Sequence, residues 1–333
     1  MLQGWASLLA RRLSAIAPAL LGLSALPSRL IQCQAVAPEE FGLIPVTTRA
    51  AYEGKHIYQI LIERLVRLEH MLIGRGFQSP VPRIQFHLRI LERLQHARQI
   101  GDDETLWSLV EATELADTYC TLPKLEWRLL KEKFGRVLNG THNPQQETSE
   151  SNLARNTMFE LHLAGYLNHK GIAADICDNP DILCAVCGRH VFLQCKRPFS
   201  RKNIRSNIKG ALKQLSCDLD RAGDARNRGV VAVSLTHAIN PGEMYMEVRT
   251  ERDINPAIAG EIRSVGDDMR HLITGPRIIG LAFSATSPVL VRDINEFRTG
   301  HVMAYYPSHN ASAADRALLR HVFLSRRLDS APA

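Results

Sequence analysis

The stretch PDILCAVCGRHVFLQCKRP, residues 180–198, decides how the middle of this chain folds. Two runs rich in apolar residues, 181–186 and 190–196, flank Cys187-Gly188-Arg189, and this pattern predicts a hairpin with a tight turn. Side chains alternate along a strand, so Gln194 and Lys196 share one face and Cys195 takes the other. Asp181 and Lys196 are therefore expected on neighbouring strands, near the open end of the hairpin.

The polar residues at this open end suit a hard divalent cation. A carboxylate from Asp181 and an amide oxygen from Gln194 are oxygen ligands of the kind that Mg2+ takes. Lys196 beside them is placed to orient or deprotonate a water molecule and to offset charge that develops on a phosphate group.

A third acidic candidate lies upstream, on a helix predicted over 151–171 that ends at Gly171. Glu160 shares a helical face with the apolar Leu167. A carboxylate among apolar neighbours is costly unless something pairs with it. A bound metal ion, Lys196 and a water molecule are the partners that the sequence offers.

A basic stretch follows the hairpin. Between positions 189 and 213 the chain has eight Lys or Arg and no Asp or Glu. The segment NIRSNIKGALKQLSCDL predicts a helix with Ile204, Ile208 and Leu215 in the core and a basic stripe beside them. A basic stripe next to a metal site suits a polyanionic backbone. The candidate phosphate contacts are Arg197, Arg201, Lys202, Arg205, Lys209 and Lys213.

Together, these features resemble the PD-(D/E)XK, or restriction-endonuclease-like, nuclease superfamily. The resemblance covers about residues 151–236. It implies an α/β fold with a mixed sheet flanked by helices, built on an αβββαβ core. The core elements would be 151–170, 172–177, 181–187, 190–196, 203–223 and 229–235.

The resemblance also implies roles for single residues. Glu160 corresponds to the helix glutamate that helps to bind metal, Asp181 to the metal-binding aspartate that follows Pro180, and Lys196 to the catalytic lysine. Gln194 departs from the usual Asp or Glu and is similar to the Gln-x-Lys variant of Mrr-type endonucleases. Asp181, Gln194 and the backbone carbonyl of Cys195, with help from Glu160, would hold Mg2+ or Mn2+.

Composition places limits on the partners and on the compartment. The 333 residues carry a formal net charge of +7, which favours an acidic partner such as nucleic acid. Seven cysteines argue against a closed set of disulfides and for a reducing compartment such as the cytoplasm. Cys184-x-x-Cys187 followed by His190 resembles half of a zinc knuckle, but without a second pair we favour small buried cysteines over zinc.

The chain divides into four predicted parts. Residues 1–46 form an N-terminal extension with a short apolar run, 13–26, and no membrane span. This extension is expected to be disordered, to pack as a helix or to direct organellar import. Residues 47–138 predict an antiparallel helical bundle that serves as a scaffold, a docking surface for a protein partner or a second copy, or a DNA-positioning domain. A polar linker, 139–150, leads to the nuclease-like domain, 151–333.

The sequence leaves three functions open. The first is a Mg2+-dependent nuclease that hydrolyses phosphodiester bonds, with DNA favoured over RNA. The second, motivated by Gln194, is a catalytically weak or inactive protein of the same fold that binds nucleic acid or acts as an adaptor. The third is a protein-interaction module led by the helical bundle.

Overall fold

The computed structural model describes residues 42–45, 57–96, 103–118, 126–140, 153–239 and 245–324. The region predicted to be a helical bundle contains the helices α1 (Ile57–Gly74), α2 (Pro82–His96), α3 (Asp103–Thr118) and α4 (Trp127–Leu138). Apolar residues at helical spacing make one face of α1 fully buried, at Leu65, Leu68 and Leu72. None of the described helices is both long and apolar enough to cross a membrane.

The predicted core elements follow in the expected order. They are α5 (Leu153–His169), β2 (Ala173–Ile176), β3 (Ile182–Val186), β4 (Arg189–Lys196), α6 (Arg201–Ala222) and β5 (Arg228–Ser234). Strands β2, β3 and β4 form an antiparallel meander, and β5 pairs parallel to β4. The structure therefore has the mixed α/β architecture that the sequence predicts.

Local backbone geometry explains how this part folds. Cys187 and Gly188 both have positive φ, 49° and 70°, which gives the two-residue turn between β3 and β4 the twist that a tight hairpin needs. Gly171, with φ of 84°, ends α5 as predicted, and its N–H donates to the carbonyl of Asn168.

The remaining elements extend the sheet. They are β1 (Gly42–Pro45), β6 (Met246–Val248), α7 (Ile254–Met269), β7 (Ile278–Val291), β8 (Glu296–Pro307) and α8 (Ala313–Leu324). In the described part of the chain the strand order is β1-β8-β7-β5-β4-β3-β2, with β6 paired to β7. Strand β1 lies inside the predicted N-terminal extension, and it pairs antiparallel with β8. The rest of that extension, and residues 141–150 of the predicted linker, lie outside the described residues.

The sheet has one hydrophobic cluster on each face. The first contains buried side chains of α1 to α5 and α8 together with sheet residues such as Val191, Leu193 and Cys195. The second contains side chains of α6 and α7 together with Phe192, Val231 and Phe283. Apolar packing is thus continuous between α1–α4 and the sheet, and the division into a bundle and a nuclease-like domain stays a prediction.

Candidate functional site

The candidate site lies where β3 begins and β4 ends. The last residue pair of the β3–β4 ladder is Ile182 with Leu193, so the preceding residue, Asp181, comes next to Gln194. The amide Nε2 of Gln194 donates to Asp181 Oδ2 at 2.5 Å, and the N–H of Cys195 donates to the same oxygen at 2.7 Å. Both side chains are buried, with 9% of Asp181 and 1% of Gln194 exposed. Asp181 is therefore fixed in place by β4.

The side-chain oxygen of Gln194 has no hydrogen-bond partner although it is buried. A carboxylate oxygen only accepts hydrogen bonds, so the amide group must turn its NH2 towards Asp181 and leave Oε1 unsatisfied. Such a buried orphan acceptor destabilises the fold unless a water molecule or a cation meets it. This oxygen is the feature of the site that best fits a bound cation.

The oxygen atoms at this edge are suitable ligands for a weakly bound hard cation. The N–H of Cys195 faces the edge where β3 has ended, and in an extended strand the carbonyl of the same residue points to that edge as well. Gln194, Asp181 and this carbonyl are oxygen ligands of the type that Mg2+ accepts. Among the described residues no group of three or more His, Cys, Asp or Glu side chains lies close enough together to hold a metal ion.

Lys196 lies on the same face of β4 as Gln194, as the alternation of side chains predicts. Its Nζ donates to Gln214 Oε1 of α6 at 3.5 Å, and Gln214 Nε2 donates to Asn179 Oδ1 at 3.2 Å. Gln214 thus connects the ammonium group to the loop that precedes Asp181. Gln214 could not be identified from the sequence, because a polar residue on a predicted helix carries no signal of its contacts.

Glu160 meets a partner that the sequence analysis did not consider. Its Oε2 lies 2.6 Å from the ammonium group of Lys133, which comes from α4. Glu160 is 9% exposed and Lys133 is 4% exposed. Lys133 therefore takes the place of the metal ion, Lys196 or water that we proposed as partner for this carboxylate.

The charged groups of the site act on one another. Burial raises the pKa of the Asp181 carboxyl and the nearby charge of Asp218 raises it further, while the Cys195 N–H, Lys196 and Lys133 oppose the rise. Burial and the charge of Asp181 likewise raise the pKa of Glu160, against the opposing effect of Lys133. Asp181, Glu160, Lys133 and Lys196 therefore lie close enough for their charges to act on one another.

Asp218 is a second residue that the sequence analysis missed. It lies on α6, one helical turn after Gln214, and is 5% exposed. Its Oδ1 accepts from Arg221 at 3.1 Å, but its buried Oδ2 has no partner. Asp218 Oδ2 is therefore a second buried oxygen without a hydrogen-bond partner near the candidate site, in addition to Gln194 Oε1.

Five of the six residues predicted to contact phosphate form an exposed basic stripe on α6. The side chains of Ile204, Ile208 and Leu215 are buried beneath it. Two of its members have partners on the surface: Arg201 pairs with Glu261, and Arg205 lies 3.2 Å from His271 Nε2. The exposed members are Arg201, Lys202, Arg205, Lys209 and Lys213.

Arg197 does not belong to this stripe. It is only 5% exposed, and its Nη1 lies 2.9 Å from Glu114 Oε2 of α3. A guanidinium group committed to a buried carboxylate is not available to a phosphate backbone, so its position does not support the predicted phosphate contact. The sequence analysis could not foresee this pair, because its members are far apart in the chain.

The cysteines near the site are consistent with packing roles. Cys195 is buried in the cluster opposite Lys196, as the alternation predicts. Burial raises the pKa of Cys184 to about 12 and also raises that of Cys195, so both stay as neutral thiols at neutral pH. Cys187 is exposed in the hairpin turn.

Comparison with known proteins gives no further guidance, since no protein-family model, curated protein or solved structure matches this chain.

Proposed function

We propose that this protein is a divalent-cation-dependent nuclease of the restriction-endonuclease-like class, which hydrolyses phosphodiester bonds, with DNA as the favoured substrate. One observation carries the proposal: a buried, unsatisfied amide oxygen of Gln194 lies beside Asp181, with Lys196 on the same face of β4. The proposal also draws support from the order of elements, in which a helix, an antiparallel three-stranded meander, a helix and a parallel strand follow one another.

Mg2+ or Mn2+, when bound, would polarise a phosphate oxygen and lower the pKa of a water molecule. Asp181 and Gln194 would hold it, together with the carbonyl of Cys195. The hydrogen bonds that Asp181 accepts from β4 keep its carboxylate in one orientation. This fixed geometry removes reorganisation that a mobile carboxylate would need.

Lys196 would act on the scissile phosphate and on the attacking water. Its ammonium group shares a face of β4 with Gln194, and its charge acts on the Asp181 carboxyl, whose pKa it lowers. Gln214 holds it through a long hydrogen bond of 3.5 Å, which a phosphate oxygen could replace. The exposed basic residues of α6 would contact neighbouring phosphates. Among them, Lys213 directly precedes Gln214 in the sequence.

A second function is favoured by the same site. Asp181 Oδ2 already accepts two hydrogen bonds, Glu160 is paired with Lys133, and a neutral Gln194 stands where the superfamily has an acid. These features lower the negative charge available to a cation. They support a protein of this fold that binds nucleic acid or acts as an adaptor without efficient cleavage.

Incubation of the full chain with supercoiled plasmid, single-stranded DNA and RNA tests both functions. We expect cleavage with Mg2+ or Mn2+, none with EDTA, and none from Asp181→Ala or Lys196→Ala. DNA binding without cleavage by the wild type would favour the second function. Equal cleavage by the wild type and both variants would sink the proposed active site.

A further inference from the structure

The buried ion pair between Lys133 and Glu160 connects the helices that precede the linker to the candidate site. Lys133 lies on α4 and Glu160 on α5, and their charged atoms are 2.6 Å apart. Both side chains are almost fully buried. The positive charge of Lys133 also acts on Asp181, so this ammonium group is close enough to influence the cation site.

Moving only one partner out of a buried ion pair is energetically costly. If Glu160 turned away to bind a cation, it would leave the ammonium group of Lys133 buried and unpaired, which is strongly unfavourable. Gln194 is free of this constraint, because its Oε1 has no partner that a cation would displace, and Asp181 Oδ2 is held by hydrogen bonds from β4 rather than by an ion pair. The oxygen ligands available without breaking an ion pair are therefore on β3 and β4.

We propose that Lys133 withholds Glu160 from the metal, so that the site takes a single divalent cation on Asp181, Gln194 and the Cys195 carbonyl. Lys133 is then a positioning residue that α4 supplies to the site, and Glu160 is its counter-ion. This inference rests on the cation site of the proposed function, and it changes the role that the resemblance implies for Glu160.

The test is Mn2+ binding to the full chain, measured by electron paramagnetic resonance and calorimetry without any nucleic acid. The decisive variant is Lys133→Met/Glu160→Gln, which replaces the ion pair by neutral side chains of nearly the same shape. We expect it to bind one Mn2+ with the affinity of the wild type. Asp181→Asn should weaken binding by about tenfold or more, since it removes the charged ligand.

The single variant Lys133→Met tests the withholding itself. It frees a buried carboxylate next to the site, and we expect Mn2+ to bind about tenfold more tightly or a second Mn2+ to bind. Lys131→Met is the matched control, because Lys131 lies two positions earlier on α4 and is exposed. It should leave Mn2+ affinity unchanged. Thermal unfolding of each variant shows whether it is folded.

Three results would overturn the proposal, and they can be told apart. A double variant that loses Mn2+ as Asp181→Asn does would make Glu160 a ligand, and the proposed nuclease would stand. A folded Lys133→Met with the affinity of the wild type would show that Lys133 withholds nothing. Failure of the wild type to bind Mn2+ would remove the cation site of the proposed function as well.

Discussion

Two regions of this protein bury charged groups, and they differ in whether the buried side-chain oxygens have partners. In the first, around Glu111 of α3, both carboxylate oxygens are met by cations: Arg83 lies 3.1 Å from Oε2, and Arg155 pairs with Oε1. In the second, where the end of β4 meets α6, the buried oxygens Gln194 Oε1 and Asp218 Oδ2 have no hydrogen-bond partner.

This difference separates a structural network from a site that is ready for a ligand. Glu111 and its arginines lie among helices, where removing water from a charge is tolerated because an opposite charge replaces it. Gln194 Oε1 and Asp218 Oδ2 have no hydrogen-bond partner, although Asp218 pairs with Arg221 through its other oxygen. The second region is therefore the candidate for cation binding, whereas the first contributes to the stability of the fold.

The largest expected effect is on cleavage, at the second region. Asp181→Asn should reduce cleavage by about 10³-fold or more, because several kcal/mol of charge stabilisation would be lost with the cation. Its amide oxygen can still accept from Cys195, so the fold should persist. Asp268→Asn, an exposed residue of α7, is the matched control and should cleave as the wild type does. Comparable cleavage rates for Asp181→Asn and Asp268→Asn would show that the second region is not the site of cleavage.

The next largest effect is on stability, at the first region. Glu111→Gln leaves buried guanidinium groups without their counter-charge and should lower the free energy of unfolding by about 3–5 kcal/mol. Urea denaturation measures this loss. Glu132→Gln, which removes an exposed partner of Arg136, should cost about 0.5 kcal/mol or less. A stability loss in Glu111→Gln no larger than this control would contradict a structural role for the network.

Gln194→Glu adds a negative charge to the second region, next to Asp181. Two neighbouring carboxylates repel each other without a cation and attract one strongly, so Mn2+ affinity should rise about tenfold. The melting temperature should fall in EDTA and recover when Mn2+ is added. Gln95→Glu changes an exposed glutamine in the same way and should show neither effect. Unchanged affinity in Gln194→Glu would place the cation elsewhere.

The smallest effect concerns an ion pair outside both regions. Burial would raise the pKa of Asp315, but hydrogen bonds from Ser312 and Arg228 hold it below its ordinary value. A lowered pKa gives stability that is present above the pKa of the unfolded chain, about 3.9, and is lost as pH falls through the folded-state value. Asp315→Asn should therefore destabilise at pH 7 by about 1 kcal/mol or less and by less still at pH 3. A difference in melting temperature that grew on acidification would contradict this sign.

The sequence was most informative where periodicity and turn residues agree. The hairpin around Gly188 and the buried face of α6 follow directly from these patterns, and the stop of α5 at Gly171 follows from its glycine. A proline usually marks an edge or a break in a strand, yet β7 continues through Pro288, which pairs with Thr299 of β8.

Contacts between distant parts of the chain could not be predicted. Lys133 with Glu160 and Arg197 with Glu114 join elements that only the packing of helices against the sheet brings together. A single sequence gives the face on which a charged side chain lies, but not the neighbour that it meets. For the same reason the orphan oxygen of Gln194 is visible only in the structure.

The proposed cation-dependent active site is tested by measuring Mn2+ binding and plasmid cleavage side by side on the wild type and Lys196→Ala. In the proposed mechanism, Lys196 acts on phosphate and water rather than on the cation. We therefore predict that Lys196→Ala binds Mn2+ as the wild type does and has lost cleavage. Cleavage at the rate of the wild type by Lys196→Ala, with Mn2+ bound, would contradict the role proposed for Lys196.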